Sequence, residues 1–431
     1  MPIIAAFFLP HPPLIIPAVG RGKERGIGAT TATYRAAAEK ISELAPELIV
    51  FITPHSVMYS DYIHISPGVR AGGSFARFGA PEARYETEYD SEFVNKLCEL
   101  CSRDNINAGT DGERDPALDH GAMIPMHFIN EKYSGYKSAR ISISGLPRET
   151  HFNFGKLISE ASAGKKTVLI ASGDLSHKLA KDGPYGFAKE GPEFDKKIAD
   201  IIRSGELNEL LAIPDDLAEN AAECGLRCLI ALAGATGADY TPHLLSYEGP
   251  FGVGYLAASF LPKDMYVALA RHILEGYVKT GKIPAPIKNL PTEMLSERAG
   301  VFVSLKKHGE LRGCIGTILP VRNNIADEIA VNAVSSGTCD PRFAPVTESE
   351  LGELTYSVDV LMPPEPISSA DELDVKKYGV IVSNGYRRGL LLPNLDGVDS
   401  VSGQIGIALR KAGIGEHEKY SMERFEVVRH T

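Results

Sequence analysis

Nowhere among the 431 residues does an uninterrupted apolar run approach the ~20 residues that cross a bilayer, which argues against a membrane-spanning helix. A basic excess is missing too. With 45 Lys and Arg against 55 Asp and Glu the net charge is −10, whereas a nucleic-acid footprint calls for a basic patch or an overall basic domain. Small molecules or proteins are the expected partners. Cysteine is sparse: Cys98, Cys101, Cys224, Cys228, Cys314 and Cys339 are all there are, which points to a reducing, cytoplasmic setting. Cys98 and Cys101 form a C-x-x-C, but FVNKLCELC reads as helix and no second pair completes a tetrahedral zinc site, so core packing is their reading. The C-x-x-x-C-x-x-C spacing of a radical iron–sulfur cluster is absent, as are internal repeats and low-complexity tracts. The opening MPIIAAFFLPHPPLIIPAV has no positively charged start and is broken by Pro10, Pro12 and Pro13, so it reads as a strand and its loop rather than a secretory signal.

What is present is alternation. The length exceeds the ~250 to 300 residues at which a single core stops growing, so two domains are expected. In the first, strands at Ile3 to Leu9, Leu48 to Thr53, Ala139 to Ser144 and Thr167 to Ala171 are interleaved with helices. The helices are expected at Thr31 to Leu44, Ser91 to Ser102, Gly121 to Glu131, Phe152 to Ala161, Glu193 to Arg203 and Ala221 to Gly234. That pattern predicts an α/β domain, with a central sheet flanked by helices. HLLSYEGPFGVGYLAASF supplies two late strands and closes the domain at residue 262. Leu261 to Asp264 mark the boundary, Asp264 capping a helix from Met265 to Lys279. From residue 264 to 431 the texture changes to a smaller α+β domain: VFVSLKKHGELRGCIGTIL reads as a hairpin, Ile325 to Val334 as a helix, LTYSVDVL and RGLLLP as strands, and GKIPAPIKNLPTE as a proline-rich loop.

Three of the early apolar runs end in a histidine, at His11, His55 and His177. Parallel strands deliver their carboxyl ends to one edge of an open sheet, where such sheets bind ligands. His11 (LPHPP) and His55 (TPHS) sit in proline-stiffened loops, and two imidazoles with one carboxylate suit non-haem Fe(II). The plainer alternative is that each histidine caps its strand. A third ligand falls to Glu223 or its neighbour Cys224 in NAAECGLR, at a helix start; Glu223 also reads simply as a helix-stabilising carboxylate, and Glu248 in SYEGP competes. His177 closes SGDLSH and titrates near neutrality, with Asp174 placed either to orient it or to cap the loop. His120 in LDHGAMIPM is a further acid, base or hydrogen-bond donor, unless Asp119 merely caps a helix beside it. His64, His127, His151 and His243 have no comparable context.

With LPHPP, TPHS, LDHGAMIPM, SGDLSH and ECGLR in this order, residues 1 to about 262 resemble the LigB-like superfamily, which includes class III extradiol ring-cleavage dioxygenases and the Memo proteins. The resemblance implies His11, His55 and Glu223 as metal ligands, His177 as catalytic acid/base and His120 as a second active-site histidine. It implies Fe(II) as cofactor, with Zn or Cu as alternatives, and a small catechol-type aromatic and O2 as substrates. Memo-type proteins carry a cysteine where dioxygenases carry the carboxylate, and this chain offers Glu223 and Cys224 side by side.

Residues 264 to 431 resemble the AMMECR family through RAGVFVSLKKHGELRGCIGTI, NAVSSGTCDPRFAPV, LTYSVDVLMPPEPI, KYGVIV, RGLLLP and RFEV. Families resembling the two halves are associated with a radical-SAM protein, so such a partner is expected; self-association into a homo-oligomer is left open. Within ELRGCIG, Cys314 lies between glycines with Arg312 two residues away; a guanidinium beside the thiol would activate it, while a buried cysteine chosen for size is the plainer reading. Asp340, Pro341, Arg342 and Phe343 form a turn that lines a pocket or pins a loop through an Asp–Arg pair.

Overall fold

In a computed structural model of the chain, describing every residue except Met1, Pro2, Asn289, Asp396 and Glu416, the chain divides into Met1–Lys263 and Asp264–Thr431. In chain order the N-terminal unit runs β1 (Ile3–Leu9), α1 (Gly28–Leu44), β2 (Leu48–Thr53), a hairpin of β3 (Arg70–Phe75) and β4 (Ala80–Glu88), α2 (Ser91–Arg103) and α3 (His120–Asn130). It continues with β5 (Lys137–Ser142), α4 (Arg148–Ala161), β6 (Thr167–Ser172), α5 (Glu190–Ser204), α6 (Asp215–Ala221), α7 (Leu226–Thr236), β7 (Tyr240–Glu248) and β8 (Tyr255–Pro262).

IIAAFFL, LIVFIT and TVLIAS are apolar almost throughout because β1, β2 and β6 are covered on both faces. They lie in one six-stranded sheet of order β5-β2-β6-β1-β8-β7, with β5, β2, β6 and β1 parallel and β8 and β7 antiparallel at the far side. One face packs Phe8, Val50, Ile52 and Leu169 against Phe154 and Ile158 of α4 and Leu229 of α7. The other packs Phe7, Phe51 and Ile170 against Tyr34 and Ile41 of α1 and Ile124 and Met126 of α3. Burying each such side chain contributes roughly 1.5 to 3 kcal/mol, so these layers fix the positions of the strand ends.

Two features depart from the expected pattern. The helix expected over Ala221 to Gly234 begins only at Leu226, as α7: Ala221 is the last residue of α6, and Ala222 adopts a left-handed backbone (φ 53°) that ends α6 and leaves Glu223, Cys224 and Gly225 between the two helices. The β3–β4 hairpin gave no apolar alternation to read, since β4 is exposed or half-exposed along nearly its whole length.

The C-terminal unit opens with α8 (Met265–Thr280), capped by the Asp264 carboxylate, which accepts from the N–H groups of Tyr266 and Val267. The segment 281–291 carries no regular element among its described residues, and Asn289 in it lies outside them. There follow β9 (Gly300–Lys307), β10 (Glu310–Gly316), α9 (Ile325–Thr338), β11 (Leu354–Leu361), β12 (Glu365–Ile367), β13 (Gly379–Asn384), β14 (Arg387–Leu391), α10 (Val401–Ala412), β15 (Ser421–Phe425) and β16 (Val427–His430). They form two four-stranded sheets, β10-β9-β11-β16 and β12-β15-β13-β14. Val301, Val303, Leu305, Tyr356 and Val358 turn one face of the first sheet onto Leu269, Ile273, Ile329 and Ala333 of α8 and α9.

Candidate metal centre

β1 and β2 flank β6, and the loops leaving their carboxyl ends carry His11 and His55 over the end of that middle strand. His11 is 2% exposed; its backbone N–H donates to Asp174 Oδ1 (2.7 Å), and its Nδ1 lies 2.9 Å from Ser172 Oγ at the last residue of β6. With Nδ1 donating to that hydroxyl, Nε2 of His11 keeps a lone pair, and it points at Nε2 of His55 across 2.9 Å. His120, the first residue of α3, stacks on His55 with ring centroids 4.2 Å apart. One ligand atom from each of His11, His55 and His120 lies within 4.8 Å of the others.

Close backbone approaches make this convergence. A Cβ on Gly121 would lie 2.4 Å from Thr53 Oγ1, so only glycine lets the start of α3 reach the end of β2. There Thr53 Oγ1 donates to the Asp119 carboxylate (2.6 Å), which also caps α3 by accepting from Ala122 N. Gly173, just past β6, and Gly225, just before α7, meet the same way: a Cβ on Gly173 would fall 2.2 Å from the Cα of Gly225. That contact brings the ECG turn onto the strand end. The Cys224 and Gly225 N–H groups donate to the Asp174 carbonyl (3.3 and 3.0 Å), and Cys224 Sγ lies 3.5 Å from His11 Nε2.

Glu223 is placed differently from its neighbour. Its Oε2 accepts from Leu226 N (2.6 Å) at the start of α7, so its carboxylate serves the helix while the sulfur of Cys224 faces the histidines. Glu248 accepts from the backbone N–H and hydroxyl of Thr30 (2.6 and 2.7 Å), tying β7 to α1. Asp174 holds the His11 loop rather than His177. The Nδ1 of His177 is instead 2.6 Å from the Ala222 carbonyl, and its ring meets Tyr185 edge-on at 5.1 Å.

Burial sets the charge state of this cluster. It lowers the pKa of His11 far below 6.5, helped by repulsion from His55, His120 and His177; it lowers His55, although Asp119 pulls the other way; and it takes His120 down to about 3. Neutral imidazoles at neutral pH are lone-pair donors. Burial also raises the Cys224 thiol well above its usual value, with the nearby acids Asp174 and Glu223 adding to the rise, and raises Asp174 to about 7. The arrangement fits an ion. Two nitrogens each about 2.0 to 2.1 Å from one metal lie about 2.9 Å apart at a right angle and about 3.4 Å apart at a tetrahedral one.

His55 and His120 open onto a cavity of about 670 Å³ walled also by Phe78, Tyr85, Met123 and Arg140. Phe78 meets His120 edge-on at 5.2 Å, and Tyr85 Oη is 2.9 Å from His127 Nδ1. Arg140, 1% exposed, is anchored by Ser66 Oγ (2.7 Å) and by the carbonyls of Ala117 and Asp115. Ser172, Arg140 and the hairpin residues Arg77, Phe78, Arg84 and Tyr85 were not singled out from sequence. An arginine inside an otherwise apolar strand, ARIS, is the one signal that could have pointed there.

A family model described as the catalytic LigB subunit of aromatic ring-opening dioxygenase matches residues 5–258, and the AMMECR1 model matches residues 267–430. The chain belongs to the LigB family. Behind its LigB domain it carries an AMMECR1 domain. A protein of Clostridium acetobutylicum is 41% identical over 469 residues, covering 98% of this chain and 98% of its own length. One from Thermotoga maritima is 50% identical over 168 residues, 37% of this chain and 97% of its own. A crystal structure of an uncharacterized protein from Pyrococcus horikoshii, 33% identical, covers 38% of this chain and 88% of its own, with a TM-score of 0.36. LigB membership and the histidine cluster together point to a metal cofactor.

In the AMMECR1 domain the alternatives for Cys314 separate at Arg312. Its guanidinium is committed to Glu350 through two 3.1 Å bonds, so it does not serve Cys314. The guanidinium near Cys314 is that of Arg342, which donates to the Cys314 carbonyl (3.3 Å) and to Asp340; Asp340 in turn accepts from Cys314 N (2.9 Å). The Asp–Arg pair thus pins the loop to the strand. Ser304 Oγ donates to Cys314 Sγ at 3.2 Å.

Proposed function

We propose that the LigB domain is a metal-dependent oxygenase that opens a catechol-type aromatic ring beside its two hydroxyls, consuming O2. The observation that carries this reading is the pair of Nε2 atoms 2.9 Å apart, neutral by burial, with His55 of that pair lining a cavity that Phe78 and Tyr85 wall. Fe(II) is the ion we assign, with Zn or Cu as alternatives. When bound, it supplies the route by which electron density passes from the diol to dioxygen. His11 and His55 would hold it, His120 or Cys224 completing the set; Glu223 would have to leave Leu226 N to contribute. With Nδ1 turned to the Ala222 carbonyl, His177 offers Nε2 as its basic atom, and burial keeps that imidazole neutral. His177 therefore takes a phenolic proton and later returns one, a role worth about 10² to 10⁴ in rate. Phe78 and Tyr85 offer the aromatic surfaces against which that ring would lie.

The test is anaerobic reconstitution with Fe(II) followed by a catechol panel and O2. Yellow ring-opened product with matching oxygen uptake is expected, and a His177→Gln variant should keep its iron and lose most of the rate. No product from an iron-loaded protein would overturn ring cleavage.

Cys224 favours a second reading, in which a thiolate-containing centre makes this a Memo-like metal-binding or protein-modification factor working with a radical-SAM partner. Metal analysis of Cys224→Ser separates the two, since unchanged affinity removes the thiol from the centre.

A further inference from the structure

The first sheet of the AMMECR1 domain buries one face on α8 and α9, so its other face should meet water. That face carries Ser304, Lys306, Cys314, Thr355, Ser357 and Asp359, the polar alternates of the core strands. It is instead roofed by β14 and α10, and the space between is a cavity of about 700 Å³, within the range of small-molecule sites. Its floor is apolar at one end, where Phe302, Ile318, Leu390 and Leu392 pack together. The rest of its wall is rich in basic side chains.

Five basic side chains line the cavity, Lys306, Arg342, Arg388, Lys411 and Arg429, against one acidic one, Asp359, in a chain whose net charge is −10. Arg342 is matched by Asp340, Arg388 by Glu423 and Arg429 by Asp359. Lys306 and Lys411 have no carboxylate within ion-pair distance among the described residues. An apolar floor beside uncompensated positive charge is complementary to an anion with a hydrophobic body, and a thiol stands in the same wall.

We propose that this cavity binds a small organic anion, a carboxylate or phosphate ester with an apolar body, its body on Phe302 and Leu390, its charge on Lys411, and Cys314 beside it. The proposal is independent of the ring-cleavage reading, because every residue in it belongs to the AMMECR1 domain.

The full chain is titrated by calorimetry with phenylacetate, phenyl phosphate, neutral phenylacetamide, and acetate, which lacks the apolar body. In parallel, iodoacetamide alkylation of Cys314 is followed by peptide mass spectrometry, the exposed Cys339 serving as reference. Binding of phenylacetate or phenyl phosphate, with Cys314 protected and Cys339 unaffected, is expected; whichever binds more tightly identifies the carboxylate or the phosphate as the preferred head group. Lys411→Gln should weaken that anion about tenfold, the loss of one charge pair. Phenylacetamide binding as tightly as the anions, acetate as tightly as phenylacetate, no calorimetric binding by either aromatic anion, or unchanged affinity in Lys411→Gln would overturn the proposal.

Discussion

At the residue scale the centre is defined by which of two adjacent side chains turns inward. Cys224 faces His11 and Glu223 faces the N-terminus of α7, and the left-handed Ala222 before them sets that orientation. Sequence offered both residues because neighbours in a turn point apart in a direction that only the backbone decides. His11 and His55 were legible for a different reason: each follows an apolar strand through a proline, so strand and loop together located them. Replacing His11 and His55 together by alanine should abolish stoichiometric metal content while leaving the fold intact, read by metal analysis and circular dichroism. Asp195 provides a pH prediction away from these ligands. Its carboxyl accepts from Ser176 N and Tyr247 Oη, yet burial, the largest effect, raises its pKa from 3.8 to about 6. Because the folded-state acid is weaker than its unfolded counterpart, this group's contribution to stability is greatest below pH 3.8, falls as pH rises toward 6, and is level beyond. Asp195→Asn should therefore stabilise the LigB domain by roughly 1 to 3 kcal/mol at pH 8 and by little at pH 4 in urea titrations.

At the scale of elements, the strands of the central sheet were readable because burial on both faces leaves few polar residues in them. The β3–β4 hairpin, which supplies Phe78 and Tyr85 to the cavity, was not, because a half-exposed ribbon has no such pattern. The junctions between elements depend on glycine. Gly173→Ala would drive a methyl into the Gly225 backbone, costing about 1 to 3 kcal/mol or more and separating Cys224 from His11. Gly121→Ala meets a side chain instead, Thr53 Oγ1, so the double variant with Thr53→Ala should recover part of the loss. Thermal melts of the single and double variants check this; strict additivity would mean the contact is not the cause.

Across the whole molecule the two units have separate hydrophobic cores, each built from its own residues. The capping aspartate at 264 announced the division in sequence, whereas the AMMECR1 cavity did not show, because its walls come from segments between residues 302 and 431 that individually read as ordinary amphipathic strands and helix. Calorimetry of the full chain should resolve two transitions. Adding the metal at 100 times its dissociation constant should raise only the LigB transition, by about 2.7 kcal/mol of stabilisation. Equal movement of both transitions would contradict separate cores.

The strands that present His11 and His55 stand two strand widths apart, about 9.6 Å, while their Nε2 atoms come within 2.9 Å. The imidazoles thus form an arch sprung from two piers, and the ground beneath it is the short hydroxyl side chain of Ser172. A bulky residue at position 172 would both take away the hydroxyl that holds the His11 ring and push up beneath it, so the grip on an ion is governed from below by a residue that need not be one of its ligands.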